Sequence, residues 1–192
     1  MTLPAPLADV DAALRVHFGT SPLRASVSFV GVETIEVLRF EPIPDERAYL
    51  SLGMSRHPMT SAAAGVQAAD GPRAELMLHV RDGADEHAGV WRQVALLAAA
   101  PAVEGVVYVP DMTVDLGTPL SAGARCTGAL ITQSPIAAVE TIVGSVAVLQ
   151  LLPATANELA WCRVHGAAAL RERWAAQAVD LLDLRRDSAT LG

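Results

Sequence analysis

The 192-residue sequence contains no lysine: all 14 of its basic residues are arginines, and 21 acidic residues leave a net charge of −7. Without lysine, Schiff-base chemistry and the phosphate-binding lysine of a P-loop are excluded. No run of basic residues occurs either, so the chain lacks the charge that supplies most nucleic-acid affinity, and anionic lipid would repel it. We therefore expect a partner that is neither nucleic acid nor membrane.

Cysteine is scarce, with Cys126 and Cys162 as the two examples. No Cys-x-x-Cys spacing is present, so neither a disulfide framework nor a zinc knuckle is indicated. We expect two buried thiols, no cofactor and no metal.

Targeting signals are also lacking. Residues 1–18 carry prolines and aspartates where a signal peptide needs a basic start and an apolar run. The longest apolar stretch, residues 143–152, is about half as long as the ~20 residues of a membrane helix. The sequence therefore predicts a soluble, cytoplasmic protein.

Apolar residues, by contrast, are abundant at 52%, against 18% charged residues. A chain of this length buries roughly 70% of its unfolded surface, which suffices for a single domain over residues 1–192. Helical and alternating patterns follow one another without regular βαβ order, which predicts an α+β fold with a mixed sheet flanked by helices. The patterns place helices at 7–18 and 86–100 and from 155 onward, and strands at 26–40 in two parts, 48–55, 73–81, 106–109, 112–116, 127–132, 143–152 and 179–184.

Three of these strands carry further expectations. Alternation in 48–55 predicts a half-buried strand whose polar face includes Tyr49, Ser51 and Ser55. The same pattern in 73–81 puts Glu75 on the solvent side. The nearly continuous apolar run 143–152 is typical of a strand covered on both faces, so we place it at the centre of the sheet.

The helix ends are marked by capping signals. Thr155 and Glu158 form a capping box that opens one long helix, in which Gly166 would allow close approach to the sheet. The preceding helix should begin after Asp85 and stop before Pro101.

One segment partly matches a catalytic motif. Gly53-Met54-Ser55-Arg56-His57 resembles the first half of the Gly-x-Ser-x-Gly nucleophile elbow, but the final glycine is missing and no helix follows. A hydrolase built on Ser55, with a histidine from elsewhere, is therefore the alternative hypothesis. A strand end facing solvent is the preferred interpretation.

Two charged groups are candidate sites. The cluster Asp82, Asp85, Glu86 and His87 lacks the spacing of a calcium loop, so a solvated turn with a helix cap explains it better. The C-terminal acids and arginines, Asp180, Asp183, Arg185 and Arg186, are interpreted as a structural ion-pair network.

Three segments together resemble the suppressor of fused family. They are Tyr49-Leu50-Ser51-Leu52-Gly53-Met54-Ser55, Ala74-Glu75-Leu76-Met77-Leu78-His79-Val80, and the stretch 149–186 with its Pro153, Thr155/Glu158, His165-Gly166 and Asp183-Leu184-Arg185-Arg186. The resemblance covers nearly the whole chain. It implies an α+β domain without enzymatic activity.

In eukaryotic members, the resemblance implies, a peptide of a Gli-type transcription factor is held as an added strand between this domain and a second, C-terminal one. By this resemblance, we expect the given sequence to end where that second domain would begin. Tyr49 matches a position on the peptide side, and Arg56 replaces an aspartate found nearby in those relatives.

Single-domain bacterial relatives are proposed immunity proteins against polymorphic toxins, and the arginine-only, alanine-rich composition suits a GC-rich bacterial genome. An acidic immunity protein could mask a basic toxin by charge complementarity. Our first hypothesis is therefore a non-enzymatic protein-binding module, with a contact surface at Tyr49, Ser51, Ser55, Arg56 and His57. A structural homo-oligomer would instead require a large apolar surface patch.

Overall fold

The computed structural model of the chain describes residues 6–61, 71–81 and 89–192. Helices and strands alternate irregularly along it. The helices are α1 (Leu7–Phe18), α2 (Val90–Glu104), α3 (Ala156–His165) and α4 (Ala167–Ala176), and the strands are β1 (Leu23–Phe29), β2 (Val32–Phe40), β3 (Glu46–Leu52), β4 (Arg73–Arg81), β5 (Thr113–Asp115), β6 (Cys126–Gln133), β7 (Val139–Thr141) and β8 (Gly144–Thr155).

The eight strands found in the described residues belong to one mixed sheet, in the order β1-β2-β3-β4-β8-β6-β5, with β7 paired to the start of β8. β4 and β8 are parallel, and every other pairing in this part of the chain is antiparallel. β8 therefore lies inside the sheet, as its continuous apolar sequence predicted. The predicted α+β class with a mixed sheet flanked by helices is confirmed.

Helices cover both faces of the sheet. Val146 and Val148 of β8 pack in the same cluster as α1, whereas Leu149 and Leu151 pack with α2. Ala154, in phase with Val148 along the strand, contacts the cluster of α3 and α4. Because side chains alternate between the faces of a strand, α1, α3 and α4 share one face and α2 covers the other.

The first helix follows its sequence pattern closely. Leu7, Val10 and Leu14 form its buried stripe, and Gly19 ends it in the left-handed conformation at φ 67°. The amide of Gly19 donates to the carbonyl of Arg15 and so closes the helix. The apolar stripe and the glycine stop predicted from the sequence are therefore both found in the structure.

The second helix runs through Pro101 to Glu104, contrary to the predicted stop before the proline. Proline has no amide hydrogen, so the carbonyl four residues earlier, that of Leu97, loses its helical partner. The hydroxyl of Tyr108 donates to that carbonyl at 2.8 Å. Burial raises the pKa of Tyr108, which keeps the hydroxyl protonated as a donor. The start predicted for this helix, with the Asp85 cap, lies outside the described residues.

Two of the predicted strands are wrong. Residues 106–109 and 179–184 are irregular chain, although both carry apolar, β-branched or leucine-rich sequence. The second segment is nevertheless tied to the sheet: the amide of Arg81 donates to the carbonyl of Leu182, and the amides of Arg125 and Cys126 donate to that of Leu184. This segment therefore makes single hydrogen bonds to several parts of the fold and does not form a regular ladder with any one strand.

The long C-terminal helix is broken into α3 and α4 at Gly166. The predicted capping box is confirmed, since the Thr155 side chain accepts from the Glu158 amide and the Glu158 side chain accepts in return. Gly166 does not approach the sheet as expected, because a side chain there would meet no atom within 4 Å. Its φ of 87° and ψ of 161° belong to a region essentially restricted to glycine, so its role is the break itself.

A buried carboxylate fixes the C-terminal segment against these helices. Glu158 accepts hydrogen bonds from the guanidinium of Arg186, from the indole of Trp174 and from the amides of Thr155 and Ala189. Arg186, which was predicted to form an ion-pair network with Asp180, Asp183 and Arg185, therefore pairs with an acid of α3. Asp180 instead pairs with Arg81 of β4 at 3.0 Å.

Cys126 and Cys162 are free and buried, as predicted. Burial raises the pKa of Cys126 to about 11. Among the described residues, moreover, no helix has the length and apolar character required to cross a bilayer.

Candidate functional site

The end of strand β3 is where the sheet opens. The pairing of β3 with β4 stops at Leu50 opposite Met77, and the chain then turns through a short 3₁₀ helix, Met54–Arg56. We call residues 53–57 the β3 turn. The amides of Gly53 and Ser55 consequently have no partner strand. Buried amides need an acceptor, so something else must supply it.

That acceptor is the carboxylate of Glu75, which is completely buried. Its Oε1 accepts from the amide of Gly53 at 2.8 Å, from the amide of Ser55 at 3.0 Å and from the Ser55 hydroxyl at 2.6 Å. Its Oε2 accepts from the Ser51 hydroxyl, which in turn accepts from the amide of Leu76. The expectation that Glu75 faces solvent is wrong: it replaces the missing strand pairing.

Arg73 holds the same turn from its other side. Its Nη1 donates to the carbonyl of Ser55 at 2.9 Å and to that of Arg56 at 2.7 Å. Glu75 thus binds the donors of the turn and Arg73 binds its acceptors. A turn anchored in this way presents the following side chains in a fixed direction.

The anchored turn forms one wall of a surface groove of about 330 Å³. The β1–β2 turn at Gly31 and the C-terminal part of α2, at Pro101 and Gly105, form the other walls. Ile35 and Met54 supply apolar floor. Apolar side chains therefore form part of the groove's lining, as is typical of ligand-binding clefts.

Charged side chains stand at the rim of this groove. The carboxylate of Glu33 accepts a hydrogen bond from Nε2 of His57 at 2.8 Å, and it lies 3.5 Å from Nη1 of Arg56. Arg56 also donates to the carbonyl of Thr34 at 3.4 Å. The side chains of Glu33 and His57 are 60% and 67% exposed, so both are available to a partner.

The residues proposed from sequence for partner contact separate into two groups. Tyr49 and Ser51 lie in the interior, because β3 is covered on both faces and is not half-buried, and Ser55 is buried in the 3₁₀ helix that follows. Arg56 and His57 reach the surface. The first group can therefore support the turn only from the interior, whereas the second group is accessible at the surface.

The hydrolase hypothesis meets a geometric obstacle at Ser55. Its hydroxyl donates to Glu75, is fully buried, and makes no hydrogen bond to a histidine in the described parts of the chain. The preferred interpretation of Ser55 as a solvent-facing strand end is equally wrong. A nucleophile needs both an activating base and access for substrate, and this serine is used as a structural donor.

The other charged cluster predicted from sequence, Asp82, Asp85, Glu86 and His87, lies outside the described residues. Sequence reasoning also missed Glu33 and Arg73. Neither carries a motif, and their role becomes visible only when two turns and a strand are brought together.

We expect the carboxyl group of Glu33 to titrate below its ordinary value of 4.5. The hydrogen bond with His57 is the largest cause of this lowered pKa, and the charge of Arg56 contributes less. The pKa of Glu33 is lower in the folded chain than in the unfolded chain. The pair therefore stabilises the fold at pH values above the unfolded pKa, and this stabilisation is lost as the pH falls through the folded pKa. In an NMR titration of the side-chain carboxyl, His57→Ala should move the midpoint upward.

The matched control for this titration is His17→Ala, which removes an exposed histidine from α1. It should leave the Glu33 midpoint where it is in the parent. A midpoint that is equally low with and without His57 would show that this hydrogen bond is not the cause.

Comparison with protein-family models identifies the surrounding domain. The model of the suppressor of fused protein (SUFU) matches residues 31–187, which include the β3 turn, Glu75 and the C-terminal network. The chain belongs to the suppressor of fused family. The resemblance inferred from the three sequence segments is confirmed, although no curated protein sequence matches this chain.

Solved structures of suppressor of fused proteins share the fold. The Sufu–Fu complex matches with a TM-score of 0.72 at 14% identity, over 97% of this chain and 93% of that one. A SUFU homologue from Neisseria gonorrhoeae matches with a TM-score of 0.67 at 18% identity, over 95% of each chain. Drosophila Suppressor of Fused matches with a TM-score of 0.71 at 14% identity, over 97% of this chain and 51% of that chain. The chain thus spans about half of the Drosophila protein.

Proposed function

We propose that this suppressor of fused domain is a non-enzymatic protein-binding module over residues 1–192, and that the groove beside the β3 turn is part of its contact surface. The observation that carries the proposal is the anchoring of that turn. A fully buried carboxylate and a half-buried arginine fix the main chain that presents Arg56 and His57. A pre-organised surface loses little conformational entropy when a partner binds.

The family supports the same proposal. One solved relative is a complex of Sufu with Fu, so a domain of this fold takes part in a protein complex. In our proposal Tyr49, Ser51 and Ser55 keep the turn in place from the interior. Arg56, His57 and Glu33 make the contacts, and the apolar floor at Ile35 accepts a side chain of the partner.

The net charge of −7 favours a basic partner, because opposite net charges accelerate encounter. An immunity protein bound to a basic toxin would satisfy this condition. We therefore propose that the partner is a toxin domain which this chain neutralises in the cytoplasm of a bacterial cell.

The test is capture of the partner from the native cells at low salt, followed by identification and stoichiometry by mass spectrometry. We expect one stoichiometric protein that is retained by the parent chain and lost from Arg56→Asp and from His57→Ala. Arg92→Asp is the matched control, since Arg92 is an exposed arginine at the opposite end of α2 from the groove. Retention by Arg56→Asp as strong as by Arg92→Asp would exclude the groove as the contact surface.

The toxin assignment needs a separate experiment. The captured protein is expressed alone in a sensitive host and then together with the parent chain or with Arg56→Asp. We expect growth arrest by the partner alone, rescue by the parent and no rescue by the variant. Normal growth with the partner alone would contradict the immunity role and leave the binding module intact.

A further inference from the structure

A second cavity, of about 470 Å³, lies where the parallel strands β4 and β8 begin. Its walls are mostly apolar, and they come from five separate parts of the chain. Met59, Tyr108, Ile136, Val148 and Leu149 are among the residues that line it. The hydroxyl of Tyr108 is already bonded to the carbonyl of Leu97, so its ring serves here as apolar wall.

One charged side chain, Arg73, belongs to this apolar lining. It is half-buried, and no carboxylate of the described residues forms an ion pair with it. Nη1 is occupied by the carbonyls of Ser55 and Arg56. Nε and Nη2 donate to no described residue, and neither is enclosed by protein.

The nearest acid along β4, Glu75, cannot serve as the counter-ion in the cavity. Its two oxygens already accept four hydrogen bonds from Ser51, Gly53 and Ser55. The cavity therefore offers a guanidinium with free donors beside an apolar enclosure. A guanidinium with parallel donors is the group that proteins use most effectively for a carboxylate.

We propose that this cavity binds a small monocarboxylic acid with an aliphatic or aromatic body. The carboxylate pairs with Nε and Nη2 of Arg73, and the apolar body lies against Tyr108 and Leu149. The side chains of Ser134 and Gln133, which also line the cavity, contribute the polar part of its wall. The cavity is distinct from the groove, but Arg73 also anchors the turn that forms one wall of the groove.

The test is titration of the full chain with octanoate, followed by NMR and by calorimetry, with octanamide as the uncharged ligand of equal length. We expect saturable 1:1 binding of octanoate and binding of octanamide that is weaker by about tenfold or more, because a hydrogen bond to a charged group exceeds a neutral one by that much. The methyl signals of Leu149 and Val148 should shift with octanoate. Equal affinity for the two ligands, or no saturation by octanoate at millimolar concentration, would overturn the proposal.

Two variants locate the site. Arg73→Gln removes the charge and should reduce octanoate affinity to that of octanamide, but it also removes support from the β3 turn. Ala138→Phe avoids this problem, because Ala138 is an exposed residue of the lining and the larger ring should fill the cavity. Undiminished octanoate binding by a folded Ala138→Phe variant contradicts the site. Binding of a peptide with a free C-terminal leucine, without binding of octanoate, would replace the small acid by a peptide terminus.

Discussion

Replacement of Glu158 by glutamine should lower the free energy of unfolding by about 3–5 kcal/mol, since it leaves a buried guanidinium without its counter-ion. Glu158 is fully buried and Arg186 is 8% exposed. The two are joined by hydrogen bonds of 2.7 and 2.8 Å, and the guanidinium also lies over the ring of Trp174. Equilibrium unfolding in urea, followed by circular dichroism, measures the loss.

The matched control is Glu172→Gln, which changes an exposed acid of α4. It should alter the free energy of unfolding by less than about 0.5 kcal/mol. Glu158→Leu combined with Arg186→Met should be less destabilising than Glu158→Gln alone, because removing both charges leaves neither unpaired. A Glu158→Gln variant as stable as Glu172→Gln would mean that the pair does not hold the C-terminal segment.

The pKa of the Glu158 carboxylate also predicts how the stability of the protein changes at low pH. Burial by itself raises the pKa of Glu158, but the hydrogen bonds from Arg186, Ala189, Thr155 and Trp174 outweigh it and lower the pKa below its ordinary 4.5. The carboxylate of Glu158 therefore stabilises the fold at pH values above its pKa in the unfolded chain. This stabilisation is lost as the pH falls through its pKa in the folded chain. The difference in the free energy of unfolding between the parent and Glu158→Gln should therefore become smaller as the pH is lowered.

Replacement of Glu75 by alanine has the second large expected effect, a loss of about 3–5 kcal/mol in the free energy of unfolding. Two amides and two hydroxyls would lose their acceptor in the interior, at roughly 1–3 kcal/mol for each unsatisfied group, and partial relaxation reduces the sum. Hydrogen exchange should also accelerate at the amides of Gly53 and Ser55. Urea unfolding and amide exchange measure the two effects.

Glu75→Gln should cost less, about 1–2 kcal/mol. The amide oxygen can still accept from Gly53 and Ser55, and the amide nitrogen can donate to the Ser51 hydroxyl. Glu140→Ala, a substitution at an exposed acid of β7, is the control for loss of a glutamate from a strand. If Glu75→Ala destabilised no more than Glu140→Ala, the carboxylate would not be the support of the turn.

Helix positions and the interior strand were predictable from the sequence because their signals are local. The stripe of α1 and its Gly19 end, the Thr155 cap of α3 and the apolar run of β8 each depend on residues within a few positions. The site was only partly predictable. The segment that contains Arg56 and His57 was found, but the same alternation placed Tyr49 on a solvent-facing side.

These errors have a common physical cause. An alternating strand exposes its polar side chains only if one face of its sheet meets water, and here helices cover both faces. A polar residue of an interior strand is then buried with a partner that is distant in sequence. The Ser55 hydroxyl and Glu75 are 20 positions apart, and Arg186 and Glu158 are 28 apart.

The sequence alone determined the fold class, because periodicity and capping act over short distances, and three of its segments indicated the family. Only the tertiary structure decided that Glu75 anchors a turn, that Pro101 is tolerated in a helix by means of Tyr108, and that 179–184 is not a strand. Each of these depends on which donor meets which acceptor across the fold. Hydrogen bonding between distant segments leaves no periodic trace in the sequence, and it is what positions Arg56 and His57 at the surface.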